Sequence, residues 1–369
     1  MSQKKRARDL GLPFPGQPGK NNAITDVPGV EVGYSTIIEG EGPLVVGEGP
    51  IRTGVTAILP KGKRTKMSPI WAGEYSLNGN GEMTGTHWIK DGGYFLSPIC
   101  ITNTHSVGMT HHSLVKWMIN HYSEEFEKEH LWAMPVVAET YDGVLNDING
   151  LHVTERHVFE ALDSAHTGPI EEGNVGGGTG MICYEFKGGT GTASRVVKIK
   201  EKDYHIGGLV QANHGIREWL TILGVPVGKH LPKKDQTTVK ERGSIIVIIG
   251  TDIPMLPHQL ERVAKRAAIG IGRNGTPGGN NSGDIFLAFS VANDMDIHQT
   301  ASEELSLNFI NDELFDDIYL ATVQVVEEAV VNALVAAESM TTLKPYGDEI
   351  EAIDHTQLVE IMREHEAGR

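Results

Sequence analysis

The sequence predicts a layered protein of the α/β or α+β class, and three observations carry that expectation. Short apolar, β-branched runs bounded by glycine, such as residues 245–249 and 285–289, read as buried strands. Stripes at helical spacing lie between and beyond them: Leu256, Leu260, Val263, Ala264 and Ala267 in one stretch, Ile318, Ala321, Val325, Ala329, Val330 and Ala333 in another. Glycine supplies 44 of the 369 residues, well above the usual ~7%, which implies tight turns and close backbone approaches rather than a helical bundle. Strands alternating with helices suit stacked layers. The 39% hydrophobic content is enough for one large domain or two modest ones.

Charge and cysteine usage narrow the function. A formal charge of −16 argues against a phosphate-backbone partner, so no nucleic acid is expected. Cys100 and Cys183 are too few for a disulfide framework and lack metal-pair spacing, and both read as buried thiols. The opening MSQKKRARDLGLPFPGQPG has charge but no apolar core segment, so it is not read as a secretory signal. Its basic cluster, Lys4, Lys5, Arg6 and Arg8, reads as a solvated tail. No run of eighteen apolar residues exists, so no membrane span and a cytoplasmic location are expected.

Taken in order, residues 9–30 are rich in proline and glycine and read as extended chain. Strands are expected over 30–36 and 54–59. Residues 71–87 show much glycine and little periodicity, which fits either a wide functional loop or a structural connector. A helix over about 110–122 carries Leu114, Val115 and Met118 on one face, and a strand over 133–138 then delivers Glu139 to Gly143. Thr154 can cap the next helix, with Val153 and Val158 as a hydrophobic staple, running to about Ala165. The dense glycines of 173–180 lack the Gly-Lys-Ser/Thr ending of a phosphate loop, so tight backbone packing near an active site is expected instead. Strands over 193–199 and 205–212 follow, the second ending at Asn213-His214-Gly215. Residues 224–242 read as an exposed linker, where a chain can be cut without dismantling a core. Gly270 to Gly275 satisfies G-x-G-x-x-G, but a helix precedes it where a dinucleotide site needs a strand. A long helix is expected over 317–340 and a short amphipathic one near the C-terminus.

The chemistry concentrates in residues 240–290. Ser244 stands at the mouth of one expected strand, and Ser282 and Asp284 at the mouth of another. Two hydroxyls and a carboxylate at the ends of central strands could form one catalytic site. Each also has a plainer reading: Gly-Ser and Ser-Gly-Asp before strands are common turns whose side chains cap backbone groups. Histidines are numerous, but His111 and His112 are adjacent on a helix and point apart, and neither they nor His87 and His105 make H-E-x-x-H. No metal and no cofactor are expected.

The segments GSIIVIIGTDIP, RAAIGIGRNG and NNSGDIFLAFS resemble the β-subunit core of the DmpA-type aminopeptidases, the L-aminopeptidase/D-amino-acid esterase and β-peptidyl aminopeptidase family. The resemblance covers most of the chain and is densest in 133–150, 173–215 and 240–290. It implies a single domain over 1–369 with a four-layer αββα sandwich, as in ornithine acetyltransferases. It also implies self-cleavage between Gly243 and Ser244, giving pieces 1–243 and 244–369, with Ser244 as an N-terminal nucleophile. A free α-amine has a reference pKa of about 7.7–8, suited to a base near neutrality.

By the same resemblance, Ser282 would hydrogen-bond Ser244, and Asp284, where some relatives carry glutamate, would orient the pair. Asn213 matches an oxyanion-stabilising asparagine and Tyr141 a pocket tyrosine, while Glu139 could pair with the substrate ammonium. From the residues alone, a loop asparagine, a structural tyrosine and a solvated glutamate remain open. The expected partner is a short peptide, amino-acid amide or ester, and the expected assembly a homo-oligomer, a tetramer of cleaved protomers. Two rivals stand beside this reading: an acyltransferase of the same fold, which in ornithine acetyltransferases uses threonine at the cut, and an uncleaved binding protein.

Overall fold

The computed structural model describes residues 4–231 and 243–367. In chain order the strands are β1 (Glu31–Glu39), β2 (Ile51–Leu59), β3 (Ile70–Gly79), β4 (Tyr94–Phe95), β5 (Ile99–Asn103), β6 (Val136–Thr140), β7 (Ile182–Cys183), β8 (Phe186–Lys187), β9 (Gly189–Ile199), β10 (Lys202–Asn213), β11 (Ser244–Thr251), β12 (Gly283–Ser290), β13 (Met340–Leu343) and β14 (Tyr346–Ile350). The helices are α1 (Thr86–Gly92), α2 (Val107–His121), α3 (Ser123–Lys128), α4 (Glu155–Asp163), α5 (Val227–His230), α6 (Pro257–Arg273), α7 (Phe315–Val335) and α8 (His355–Ala367). Two sheets dominate: a four-stranded one in the order β1-β2-β5-β6 and a six-stranded one in the order β4-β3-β12-β11-β10-β9.

The strand side chains alternate between faces, so each sheet is apolar on both. Ile58, Ile99, Ile101, Val136 and Ala138 of the smaller sheet meet Leu209, Ile246, Ile248, Ile285 and Leu287 of the larger one. On the outer face of the smaller sheet, Val55, Ala57, Cys100 and Val137 pack with Leu114, Trp117 and Met118 of α2 and Val158, Ala161 and Leu162 of α4. On the outer face of the larger sheet, Ile245, Val247, Ile249 and Phe286 pack with α6 and α7. The result is the expected αββα sandwich. α7 is long and apolar enough to cross a bilayer, but almost all of it is buried as a core helix. It ends at Val335, short of the expected 340, because Met340 already belongs to β13.

Several expectations are corrected. Within 71–87 lies β3, a central strand paired with β12, followed by α1. Its missing alternation reflects burial on both faces and a glycine at a close approach: a Cβ on Gly73 would lie 2.1 Å from the Glu261 backbone nitrogen of α6. The basic cluster is not a solvated tail. Ala7 is fully buried, Arg6 pairs with Glu172 at 2.6 Å, and Arg8 pairs with Glu328 at 2.8 Å. Of the linker expected over 224–242, residues 232–242 lie outside the described residues. In the remainder, Val225, Val227 and Leu231 are buried in the outer core, so that part is no exposed linker. The glycines of 173–180 do pack tightly: Gly176, Gly177 and Gly178 form a buried turn, and a Cβ on Gly177 would lie 2.6 Å from the Ile101 carbonyl oxygen.

Candidate active site

Three central strands of the larger sheet end side by side. β10 and β11 pair antiparallel with Asn213 opposite Ser244, and β11 and β12 pair parallel with Ser244 opposite Gly283. Ser244 shares the face of β11 with Ile246 and Ile248, the face that looks toward the smaller sheet. Asn213 and Ser244 are each only 5% exposed. Gly243 fits tightly before them: a Cβ there would lie 1.8 Å from the Asn213 carbonyl oxygen, so packing alone demands glycine at this position.

Next to Ser244, the Ser282 hydroxyl donates to Asp284 Oδ1 at 2.6 Å, and both residues are buried. Asn78 Nδ2 donates to Asp284 Oδ2 at 3.2 Å, and the Ile245 backbone N–H also reaches this carboxylate. Burial pushes the Asp284 carboxyl above its ordinary pKa, against the pull of these three donors. Among the described residues no hydrogen bond joins the Ser282 and Ser244 hydroxyls; the Ser282 proton goes to the carboxylate, which leaves its oxygen able to accept.

The Asn213 side chain is held at both ends. Its Oδ1 accepts from the Ile182 N–H at 2.8 Å, and its Nδ2 donates to the Tyr141 carbonyl at 3.0 Å. A carboxamide nitrogen has two hydrogens, so a second N–H remains available for a bound group. Tyr141 thus joins the site through its backbone. Its ring is 40% exposed and folds over Gly143.

Glu139 comes from the other sheet, at the edge strand β6. Its Oε1 accepts from the Glu82 N–H at 3.0 Å, and its Oε2 accepts from the Thr104 hydroxyl. It is 4% exposed, and burial raises its pKa, against the Thr104 and Glu82 hydrogen bonds. A solvated glutamate is therefore ruled out. Gly81 lies between the two halves: a Cβ there would be 3.1 Å from Glu139 Oε1 and 3.5 Å from Gly283 Cα.

Sequence reasoning missed Asn78, Gly81 and Thr104. The signal was the Asn-Gly-Asn-Gly run at 78–81 directly after a buried strand, but it lay inside the stretch read as a loop or connector. Among the described residues, no group of three or more His, Cys, Asp or Glu side chains could hold a metal ion.

Comparison with known proteins places the chain in a family. Residues 22–346 match the model of peptidase family S58. The β-peptidyl aminopeptidase BapA of Sphingosinicella microcystinivorans is 50% identical over 374 residues, spanning 98% of this chain and 92% of that protein. The solved L-aminopeptidase D-Ala-esterase/amidase of Ochrobactrum anthropi, a prototype for the serine aminopeptidases and a variant of the Ntn hydrolase fold, superposes with a TM-score of 0.93. It is 57% identical and covers 98% of this chain and 99% of its own. A β-aminopeptidase from a Burkholderia species superposes at 0.87 with 45% identity, covering 98% and 99% of the two chains. The matched region runs through both the Asn213 and the Ser244 strands, and the chain belongs to peptidase family S58.

Proposed function

We propose that this peptidase is a self-processing serine aminopeptidase that releases N-terminal residues from short peptides, amino-acid amides or esters. The observation that carries the reading is the side-by-side placement of Asn213, Ser244 and Gly283. The Ser282–Asp284 pair flanks them, and the Glu139 carboxylate faces them across Gly81. The aminopeptidase relatives support the same reading.

Self-processing begins when the Ser244 hydroxyl attacks the Gly243 carbonyl carbon. The new C–O bond gives an ester, the C–N bond breaks, and the proton leaving the hydroxyl goes to the departing nitrogen. Water then opens the ester, leaving a Gly243 carboxylate and a Ser244 with free hydroxyl and α-amine. In turnover the same hydroxyl attacks the substrate carbonyl. The α-amine or the Ser282–Asp284 pair takes its proton and passes it to the amine or alcohol that leaves as its C–N or C–O bond breaks. Water then hydrolyses the ester on Ser244 to release the acid and restore the hydroxyl. The second Asn213 N–H stabilises the oxyanion. Glu139, buried and acidic, pairs with the substrate ammonium in a site where water screens little.

Intact mass with N-terminal sequencing tests the reading. Wild type should give pieces 1–243 and 244–369, the smaller of roughly 14 kDa by its share of the length. Ser244→Ala should remain one chain of 40.1 kDa, inert toward alanine p-nitroanilide. An uncut Ser244→Ala chain that still hydrolyses the substrate would place the nucleophile elsewhere.

A further inference from the structure

One short stretch, residues 78–84, is fastened to both halves of the candidate site. It leaves β3 in the larger sheet and reaches the outer edge of β6 in the smaller one. At its start, Asn78 holds Asp284, and Asn80 Nδ2 donates to the Asn281 carbonyl at 2.6 Å. At its end, Met83 bridges to Ala138, the Thr84 N–H donates to the Val137 carbonyl at 2.9 Å, and the Glu82 N–H holds Glu139. This crossing therefore links the Glu139 carboxylate to the strand ends beside Ser244.

Gly81 is its midpoint. A Cβ there would sit 3.1 Å from Glu139 Oε1, 3.5 Å from Gly283 Cα and 3.6 Å from Ile285 Cδ1, and Gly283 is the register partner of Ser244. Gly81 does not adopt a positive φ, so backbone conformation does not account for the glycine. What its bare α-carbon leaves is a gap about the size of one methyl group between the amine anchor and the nucleophile strand, which a side chain would close against Glu139 Oε1.

We propose that Gly81 is a specificity-determining residue that sets how long a backbone fits between the substrate ammonium and the scissile carbonyl. Its missing side chain makes room for a β-aminoacyl unit, whose ammonium and carbonyl are one methylene further apart than in an α-aminoacyl unit. The inference rests on the reading of Glu139 and Ser244 given above.

The test compares kcat/KM for β-alanine p-nitroanilide and alanine p-nitroanilide in wild type, Gly81→Ala and Glu139→Asp. A methylene in a fitted site is worth about tenfold or more in discrimination. Gly81→Ala should lower the β-to-α ratio by about tenfold while the chain still cuts itself. Glu139→Asp draws the carboxylate back by one carbon–carbon bond, about 1.5 Å, and should raise the ratio. An unchanged ratio in a self-cleaved, active Gly81→Ala enzyme overturns the proposal. If that variant fails to fold, an unchanged ratio in Glu139→Asp overturns it equally. Failure of the underlying reading looks different: wild type inert toward both substrates, or equally active on their N-acetylated forms, would sink both.

Discussion

Asn213 uses one side chain for two purposes, and the two can be separated by measurement. Its Oδ1 and one N–H tie the Ile182 amide and the Tyr141 carbonyl to the end of β10, while the other N–H is the proposed oxyanion donor. Asn213→Ala should lower kcat by ~10²–10³ with little change in KM, the signature of a group acting on the transition state. A raised KM with unchanged kcat would instead make Asn213 a ground-state contact. Asp142, next to Tyr141, offers a second test at this scale. It is wholly buried and accepts from the Thr53 hydroxyl at 2.6 Å and from Asn146 Nδ2 at 3.0 Å. Burial pushes its pKa up from 3.8 to about 7. An acid raised in this way stabilises the fold fully below its unfolded pKa, and the contribution is lost as pH rises through the folded one. Asp142→Asn does not ionise, so its Tm should gain on that of wild type between about pH 4 and 7. A Tm difference constant across that window would show that Asp142 does not titrate there.

Among the elements, β3 shows most clearly what a sequence conceals. β11 was legible because β-branched residues crowd between glycines, β12 because an unbroken apolar run follows Ser-Gly-Asp, and α6 and α7 because their apolar stripes are long. β3 is flanked by α6 on one face and the inter-sheet core on the other, so no alternation marks it, and Gly73 and Gly79 suggest a loop. The part of the site on β11 and β12 could be found from strand ends and resemblance. The part that depends on β3 could not, because the contact between Asn78 and Asp284 spans 206 residues of sequence. Gly73→Ala tests the packing directly. Its methyl would collide with the α6 backbone, which cannot rotate away, and the loss of stability should reach ~1–3 kcal/mol or more in a urea melt. Stability equal to wild type would mean that α6 can shift on the sheet at little cost.

At the scale of the whole molecule, the N-terminal segment clasps the far end of the chain. Glu328 of α7 is fully buried and takes Arg8 at 2.8 Å and the equally buried Arg195 at 2.7 Å, and Asn22 donates to it at 2.6 Å. Burial alone would raise its pKa, but Arg8, Arg195 and Asn22 outweigh that and hold it below the ordinary value. Glu328→Ala leaves Arg195 buried and unpaired and should cost about 3–5 kcal/mol in chemical denaturation. Arg8→Ala leaves the Arg195–Glu328 pair intact and should cost clearly less, and equal losses would contradict this account. The clasp also has a consequence in time. Ala7 and Arg8 are made well before their partners Asn332 and Glu328, which follow 325 and 320 positions later. At roughly 5–20 residues per second, the ribosome takes on the order of tens of seconds to cover that interval. The strap must therefore wait until α7 has been made, and a nascent chain stopped before α7 would carry it undocked.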